Sequence, residues 1–133
     1  MVIDSSALIA LLLNEPEADD IEVALDADPV RLISAANYLE AAMIVEARLG
    51  AAGAREFDLL VHKCEIELVA VTAEHTEAAR EGWRRFGHGR HEAGLNVGDC
   101  FSYALSMVSG EPLLFKGDDF TRTDVVPVKL GTG

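Results

Sequence analysis

The sequence predicts an α/β domain, a central parallel sheet of about four to five strands flanked by helices on both faces. Three observations lead there. Short apolar segments of strand length alternate with longer stretches of helical composition, the order in which parallel sheets with covered faces are built. Half of the 133 residues are apolar, enough for one buried core and too short a chain for two. No repeat, low-complexity tract or linker interrupts the chain, so residues 1–133 are read as one domain.

Met1–Ile3 is the first strand and runs into Asp4-Ser5-Ser6. Ala7–Leu13 is the first helix, opened by an Asp or Ser cap and ended at Asn14-Glu15-Pro16. Glu17–Ala27 is a second, acidic helix, and Val30–Ile33, between Pro29 and Ser34, is a strand. Ala35–Leu49 is a long helix closed by Gly50; Gly53–Lys63 is another, followed by the strand Leu68–Val71. Thr72-Ala73-Glu74 opens a helix running to about Phe86. A glycine-hinged loop, Gly87–His91, comes next, and Gly98-Asp99 opens a helix that continues to Val108. After the turn Gly110-Glu111-Pro112 come the strand Leu113–Lys116 and a last strand, Val125–Lys129.

The opening apolar run is not read as a signal peptide. No basic residue precedes it, Asp4 interrupts it, and Ala7 to Leu13 spans only seven residues. Cys64 and Cys100 lie far apart, which fits a reducing cytoplasm and excludes a disulfide scaffold or a zinc-thiolate cage. The expectation is a soluble, cytoplasmic protein. Its formal charge of −12 excludes broad adhesion to nucleic acid or an anionic membrane, so any polyanion must meet a local site.

Most of the acids are accounted for as solvated surface, including the seven between Glu15 and Asp28, which receive no function. A few stand in apolar surroundings, where a lone carboxylate is costly to desolvate. Asp4 lies between Val2-Ile3 and Ala7–Leu13, with helix capping as its structural alternative. Glu40 carries the only charge in Ala35–Val45, a segment read as a buried helix, so a structural account of it requires a buried basic partner. Asp99 is the first charge of an apolar helix, where the helix dipole also welcomes a carboxylate. Asp118 and Asp119 follow a strand, a position where acids also form turns.

If the strands are parallel and adjacent, these acids meet at one end of the sheet. Carboxylates a few ångströms apart repel by several kcal/mol at an effective dielectric of about 20. They share protons or hold a hard cation. An all-oxygen set suits Mg²⁺ or Mn²⁺ rather than Zn²⁺, and such ions clamp phosphate oxygens and activate water. The cluster reads as a metal-dependent phosphoryl-transfer site.

Four segments, VIDSSAL, SAANYLEAA, GLNVGDCFSYALS and LLFKGDDF, occur in the order found in PIN-domain ribonucleases and resemble the VapC-type toxins of prokaryotic toxin–antitoxin pairs. The likeness covers essentially the whole chain. It implies a PIN-like fold and an endoribonuclease that uses Mg²⁺, or Mn²⁺ in its place, to hydrolyse RNA with a metal-activated water. The products it implies are a 5′-phosphate and a 3′-hydroxyl. The family's first acid falls on Asp4, its helical glutamate on Glu40, its third acid on Asp99 and its small hydroxyl on Ser6. The fourth acid falls on Asp118 or Asp119, with Asp119 preferred. Asp4 and Asp99 are then the foremost metal ligands, with Glu40 and Asp119 as further candidates. Glu40 is alternatively an anchor behind the ligands or a base that orients water. The resemblance also implies a VapB-type antitoxin covering the pocket, a homodimer, and operator DNA contacted only through the antitoxin.

Arg80, Arg84, Arg85 and Arg90 give the stretch Arg80–His91 a local net charge of +3, beside Trp83 and Phe86. Arginines next to aromatics grip phosphate and stack bases, so this stretch is the candidate RNA contact. Its alternative is an amphipathic helix with both aromatics in the core. Two other functions remain open at this point. One is an acidic protein-interaction module without catalysis. The other is an aspartyl-phosphate phosphatase with Asp4 as nucleophile, against which Ser6 stands where such sites carry a second acid.

Overall fold

Alternate residues of a strand face opposite sides of its sheet, and here both sides are covered. A computed structural model describes residues 1–131. Four short strands, β1 (Val2–Ile3), β2 (Leu32–Ser34), β3 (Glu67–Val69) and β4 (Leu113–Leu114), form one parallel sheet in the order β3-β2-β1-β4. Ile3, Ile33 and Leu114 face one side and pack among α1 (Ser5–Leu12), α2 (Ala18–Ala27) and α3 (Ala35–Lys63). Val2 and Leu113 face the other and pack with Tyr103, Ala104 and Phe86 of α4 (Ala73–Phe86) and α5 (Val97–Ser109).

The strand order reverses at β1: β2 and β3 lie on one side of it and β4 on the other. In open parallel sheets the crevice at such a reversal, outside the carboxyl ends of the strands, is where ligands bind. Asp4 leaves β1 at that edge, and the Lys116–Asp119 turn follows β4 there.

Two expectations change. Val125–Lys129 is not a strand: Leu113 makes a single bridge to Pro127, with its N–H donated to the Val126 carbonyl at 2.8 Å. The bridge is closed by the Val128 N–H, donated to the Leu113 carbonyl at 2.9 Å, and the pairing extends no further. The segment Ala35–Val45 is not buried all round either. Asn37, Ala41 and Val45, one helical turn apart, face the core, while Leu39 and Met43 are 58% and 62% exposed. Among the described residues no helix is long and apolar enough to cross a membrane.

The helix break expected at Gly50 is a kink inside α3, which resumes and runs to Lys63. Gly50 sits at φ 70°, ψ −160°, backbone space open to glycine almost alone. Nothing lies within 4 Å of where its Cβ would be, so a side chain there is opposed by backbone strain and not by crowding. Gly50→Ala is expected to destabilise the fold by about 1–3 kcal/mol. Urea denaturation checks this as a lower midpoint at unchanged slope; an unaltered midpoint contradicts the account of the kink.

Candidate active site

Asp4 is the residue after β1, and its carboxyl is 3% exposed. It caps α1, with one oxygen accepting from the Ser6 backbone N–H at 3.1 Å. The other oxygen accepts from the Ser102 hydroxyl of α5 at 2.5 Å. Capping and site formation are thus the same geometry. Burial raises the Asp4 carboxyl above its ordinary range; the hydrogen bonds from Ser102 and Ser6 pull it down, and the charge of Glu40 adds to the rise.

Ser34 at the end of β2 caps α3 through Ala36 N–H. One turn into that helix, buried Asn37 donates its Nδ2 to the Gly98 carbonyl at 2.8 Å, which fastens α3 to the first turn of α5. Glu40, half-buried, lies one turn further. The Ser5 hydroxyl donates to its Oε1 at 2.6 Å. Its carboxylate rests on Gly98 so closely that a Cβ there would lie 2.7 Å from Oε1. The basic partner that a structural reading of Glu40 requires is absent: among the described residues no Lys, Arg or His forms an ion pair with Asp4, Glu40, Asp99, Asp118 or Asp119.

The helix carrying Asp99 starts one residue earlier than expected and is capped by Asn96, whose side chain accepts from the Asp99 N–H while Asp99 Oδ2 accepts from the Asn96 N–H at 3.1 Å. Burial pushes the Asp99 carboxyl up to about 6; the bond from Asn96 opposes the rise, and the charges of Asp4, Asp119 and Glu40 add to it. Those three acids therefore stand close enough to be felt at Asp99. Cys100, next along the helix, has its thiol pushed up to about 11 by burial and by Asp99.

Asp118 and Asp119 are both exposed. The Asp118 carbonyl accepts from Thr121 N–H and Oγ1 at 3.1 and 2.7 Å, the work of a turn former. Ser6 Oγ accepts the Lys116 N–H at 3.0 Å, tying the end of β4 to the start of α1. Of the basic stretch, Arg85 is committed to Asp124 at 3.1 Å and Arg84 pairs with Glu81 at 3.6 Å. Arg80 is exposed, and Arg90 lies over Trp83. Phe86 is buried and Trp83 is 43% exposed, so the two aromatics part company.

Ser5, Asn37 and Ser102 were not singled out from the sequence. Asn37 lies three residues before Glu40 and Ser102 three after Asp99, a spacing that puts each on its acid's helix face and was their only signal.

Among the described residues no group of three or more His, Cys, Asp or Glu side chains is placed to hold a metal ion, so the expected convergence of three or four carboxylates on one ion is not seen. The donor set fits a hard cation that is held by one or two carboxylates and keeps several waters, as Mg²⁺ and Mn²⁺ do. A buried carboxylate with only neutral donors, and a second one raised by burial and by the charges of neighbouring acids, are the charge environment such an ion relieves.

The PIN domain family profile matches residues 1–126. A protein of Mycolicibacterium smegmatis named Ribonuclease VapC is 57% identical over 128 residues, which is 96% of this chain and 99% of that one. Two solved structures share the fold. The crystal structure of Mycobacterium tuberculosis VapC20, described as a sarcin-ricin loop cleaving toxin, aligns with a TM-score of 0.79 at 21% identity, covering 96% of this chain and 98% of that one. VapBC2 from Rickettsia felis, bound to a DNA fragment from its promoter, aligns at 0.76 and 12% identity, covering 98% of each chain. With a family match over nearly its full length and a majority of residues shared with a named member, the chain belongs to the PIN-domain family and, within it, to the VapC ribonucleases.

Proposed function

We propose that this protein is a Mg²⁺- or Mn²⁺-dependent endoribonuclease, the toxin of a VapBC-type pair. It hydrolyses RNA phosphodiesters to leave a 5′-phosphate and a 3′-hydroxyl. The observation that carries this reading is the Asp4 carboxylate, buried at the carboxyl edge of β1 with hydroxyl and amide partners only, while Glu40, Asp99 and Asp119 crowd the same edge without a base. Asp4 and Asp99 hold the cation. When bound, the cation withdraws charge from the phosphate and activates a water for attack.

The chain's own residues do the rest. Ser102 and the Ser6 N–H fix the two oxygens of Asp4. Ser5 aims Glu40, which orients the water or anchors the ligands behind the ion. Asn37 holds the first turn of α5, and with it Asp99, against α3. Asp119 is the fourth acid in preference to Asp118, because its charge is felt at Asp99. A VapB-type antitoxin is the partner that neutralises the pocket, and operator DNA is met through it. The exposed apolar pair Leu39 and Met43, flanking Glu40, suits a homodimer face.

Three outcomes test the reading. Asp99→Asn is expected to lower RNA cleavage at least about a hundredfold, the loss of several kcal/mol of charge stabilisation. Ser102→Ala, which frees one oxygen of Asp4, is expected to cost about 10–100-fold in cation affinity or activity. End-labelled RNA incubated with Mn²⁺ reads both, and full cleavage by Asp99→Asn refutes the assignment.

The pH dependence follows from Asp99. Its folded-state carboxyl titrates at about 6, above the ordinary 3.8, so the folded protein binds that proton more tightly than the unfolded chain does. Without a cation, its contribution to stability is present below about pH 4 and is lost as pH rises through 6. Cation binding needs the ionised form, so Mn²⁺ affinity climbs over the same interval. Thermal melting across pH 4–7, with and without Mn²⁺, should show the stabilisation by metal growing with pH in the wild type and flattening in Asp99→Asn. A metal effect largest at the acid end overturns it.

A further inference from the structure

The loop between α4 and α5 returns almost to where it starts. His88 N–H donates to the Leu95 carbonyl and Leu95 N–H to the Phe86 carbonyl, both at 2.9 Å, with a bridge between Gly87 and Leu95. Asn96, the next residue, caps the helix that carries Asp99. The last turn of α4 and its loop therefore lie beside the start of the helix that carries Asp99.

In that turn Trp83 is 43% exposed yet held in place from two directions. It lies so close to Gly87 that a Cβ there would collide with the indole, reaching 2.9 Å from Nε1. The Arg90 guanidinium stands 4.6 Å from the ring centroid, itself steadied by its Nε–H donated to the Arg84 carbonyl at 3.2 Å. Neighbouring cations are engaged: Arg85 with Asp124, Arg122 with Glu92 and Arg84 with Glu81. Arg90 has no acidic partner among the described residues, so its charge is open to a phosphate and its plane to a base.

We propose that Trp83 and Arg90 form a partly preassembled stacking subsite for an unpaired RNA base beside the start of the helix that carries Asp99. The subsite rests on the ribonuclease reading above and adds a substrate preference to it. Stacking tolerates any base and requires that base to be out of a duplex. Because Trp83 is braced against Gly87 and Arg90 is hydrogen-bonded to the Arg84 carbonyl beforehand, part of the ordering is complete before a base settles on them.

Trp83 is the only tryptophan of the chain, so its fluorescence reports on this spot alone. The Asp99→Asn protein is titrated with an unpaired oligoribonucleotide and with a blunt RNA duplex, and binding is followed in parallel by anisotropy of labelled RNA. The single strand is expected to quench Trp83 on binding and the duplex to leave it unchanged. Trp83→Leu and Arg90→Gln should each weaken single-strand binding about tenfold. In the otherwise unaltered enzyme both should raise KM with kcat preserved, and Trp83→Phe should restore most of the affinity. Arg90→Gln changes an exposed side chain and carries the test should Trp83→Leu fail to fold. Binding without quenching, equal quenching by the duplex, or unaltered affinity in both variants overturns the subsite while leaving the nuclease assignment intact. A wild-type protein that neither binds nor cuts RNA brings down both.

Discussion

Several negative side chains share one end of a small sheet, no positive side chain among the described residues pairs with them, and the rest of the architecture accommodates that constraint. Neutral donors do the holding: Ser102 and the Ser6 amide for Asp4, Ser5 for Glu40, the Asn96 amide for Asp99. A hydrogen bond to a charged group contributes about 1.5–3 kcal/mol, and a helix N-terminus adds about 0.3–1 kcal/mol. Two carboxylates some ångströms apart repel by a few kcal/mol at intermediate dielectric. The carboxyl of Asp99, lifted to about 6, records the burial and repulsion that its donor does not offset. In the function proposed above, a divalent cation would relieve that remainder, so that a geometry awkward for the apoprotein would suit the chemistry.

The parallel sheet makes such a concentration reachable. Parallel strands end on the same edge, and a helix that follows each strand begins there, so its N-terminus faces the edge as well. β1 and β4 are only two residues long, and β2 and β3 only three. Their brevity matters little to the core, since Ile3, Leu113 and Leu114 are fully buried. It matters to the site, because Asp4, Ser34 and Lys116 leave their strands within a few residues of one another. Asn37 then closes the arrangement from above: it joins helices on opposite faces of the sheet by one bond to Gly98, and the missing side chain at Gly98 lets Glu40 lie directly against α5.

The sequence disclosed these features unevenly. Asp4, Glu40 and Asp99 stood out because a charge amid apolar residues needs a reason. The break at Gly50 was legible because glycine after a long helical run signals a left-handed turn. Serines do not stand out in this way. Ser102 bonds to a residue 98 positions away, and a hydroxyl in an apolar helix is common enough to pass unremarked. The exposure of Leu39 and Met43 was hidden because composition reports how apolar a segment is and not how many of its faces meet the core. Val125–Lys129 has the residue types of a strand, but the neighbouring β4 is only two residues long and pairs with it in a single bridge at Leu113, which composition cannot show.

The acidic run from Glu15 to Asp28, given no function from the sequence, acquires one in the folded chain. Lys116 begins the turn that leads to Asp119, and its backbone N–H is bonded to Ser6, two residues from Asp4. Its ammonium is met by the acids at the head of that run: Nζ sits 2.9 Å from Glu15, between α1 and α2, and 3.5 Å from Glu17, which stands at the N-cap of α2. Exposed ion pairs of this kind contribute little to stability. Their effect is one of direction: with its charge met by Glu15 and Glu17, Lys116 forms no ion pair with Asp4, Glu40, Asp99, Asp118 or Asp119 among the described residues.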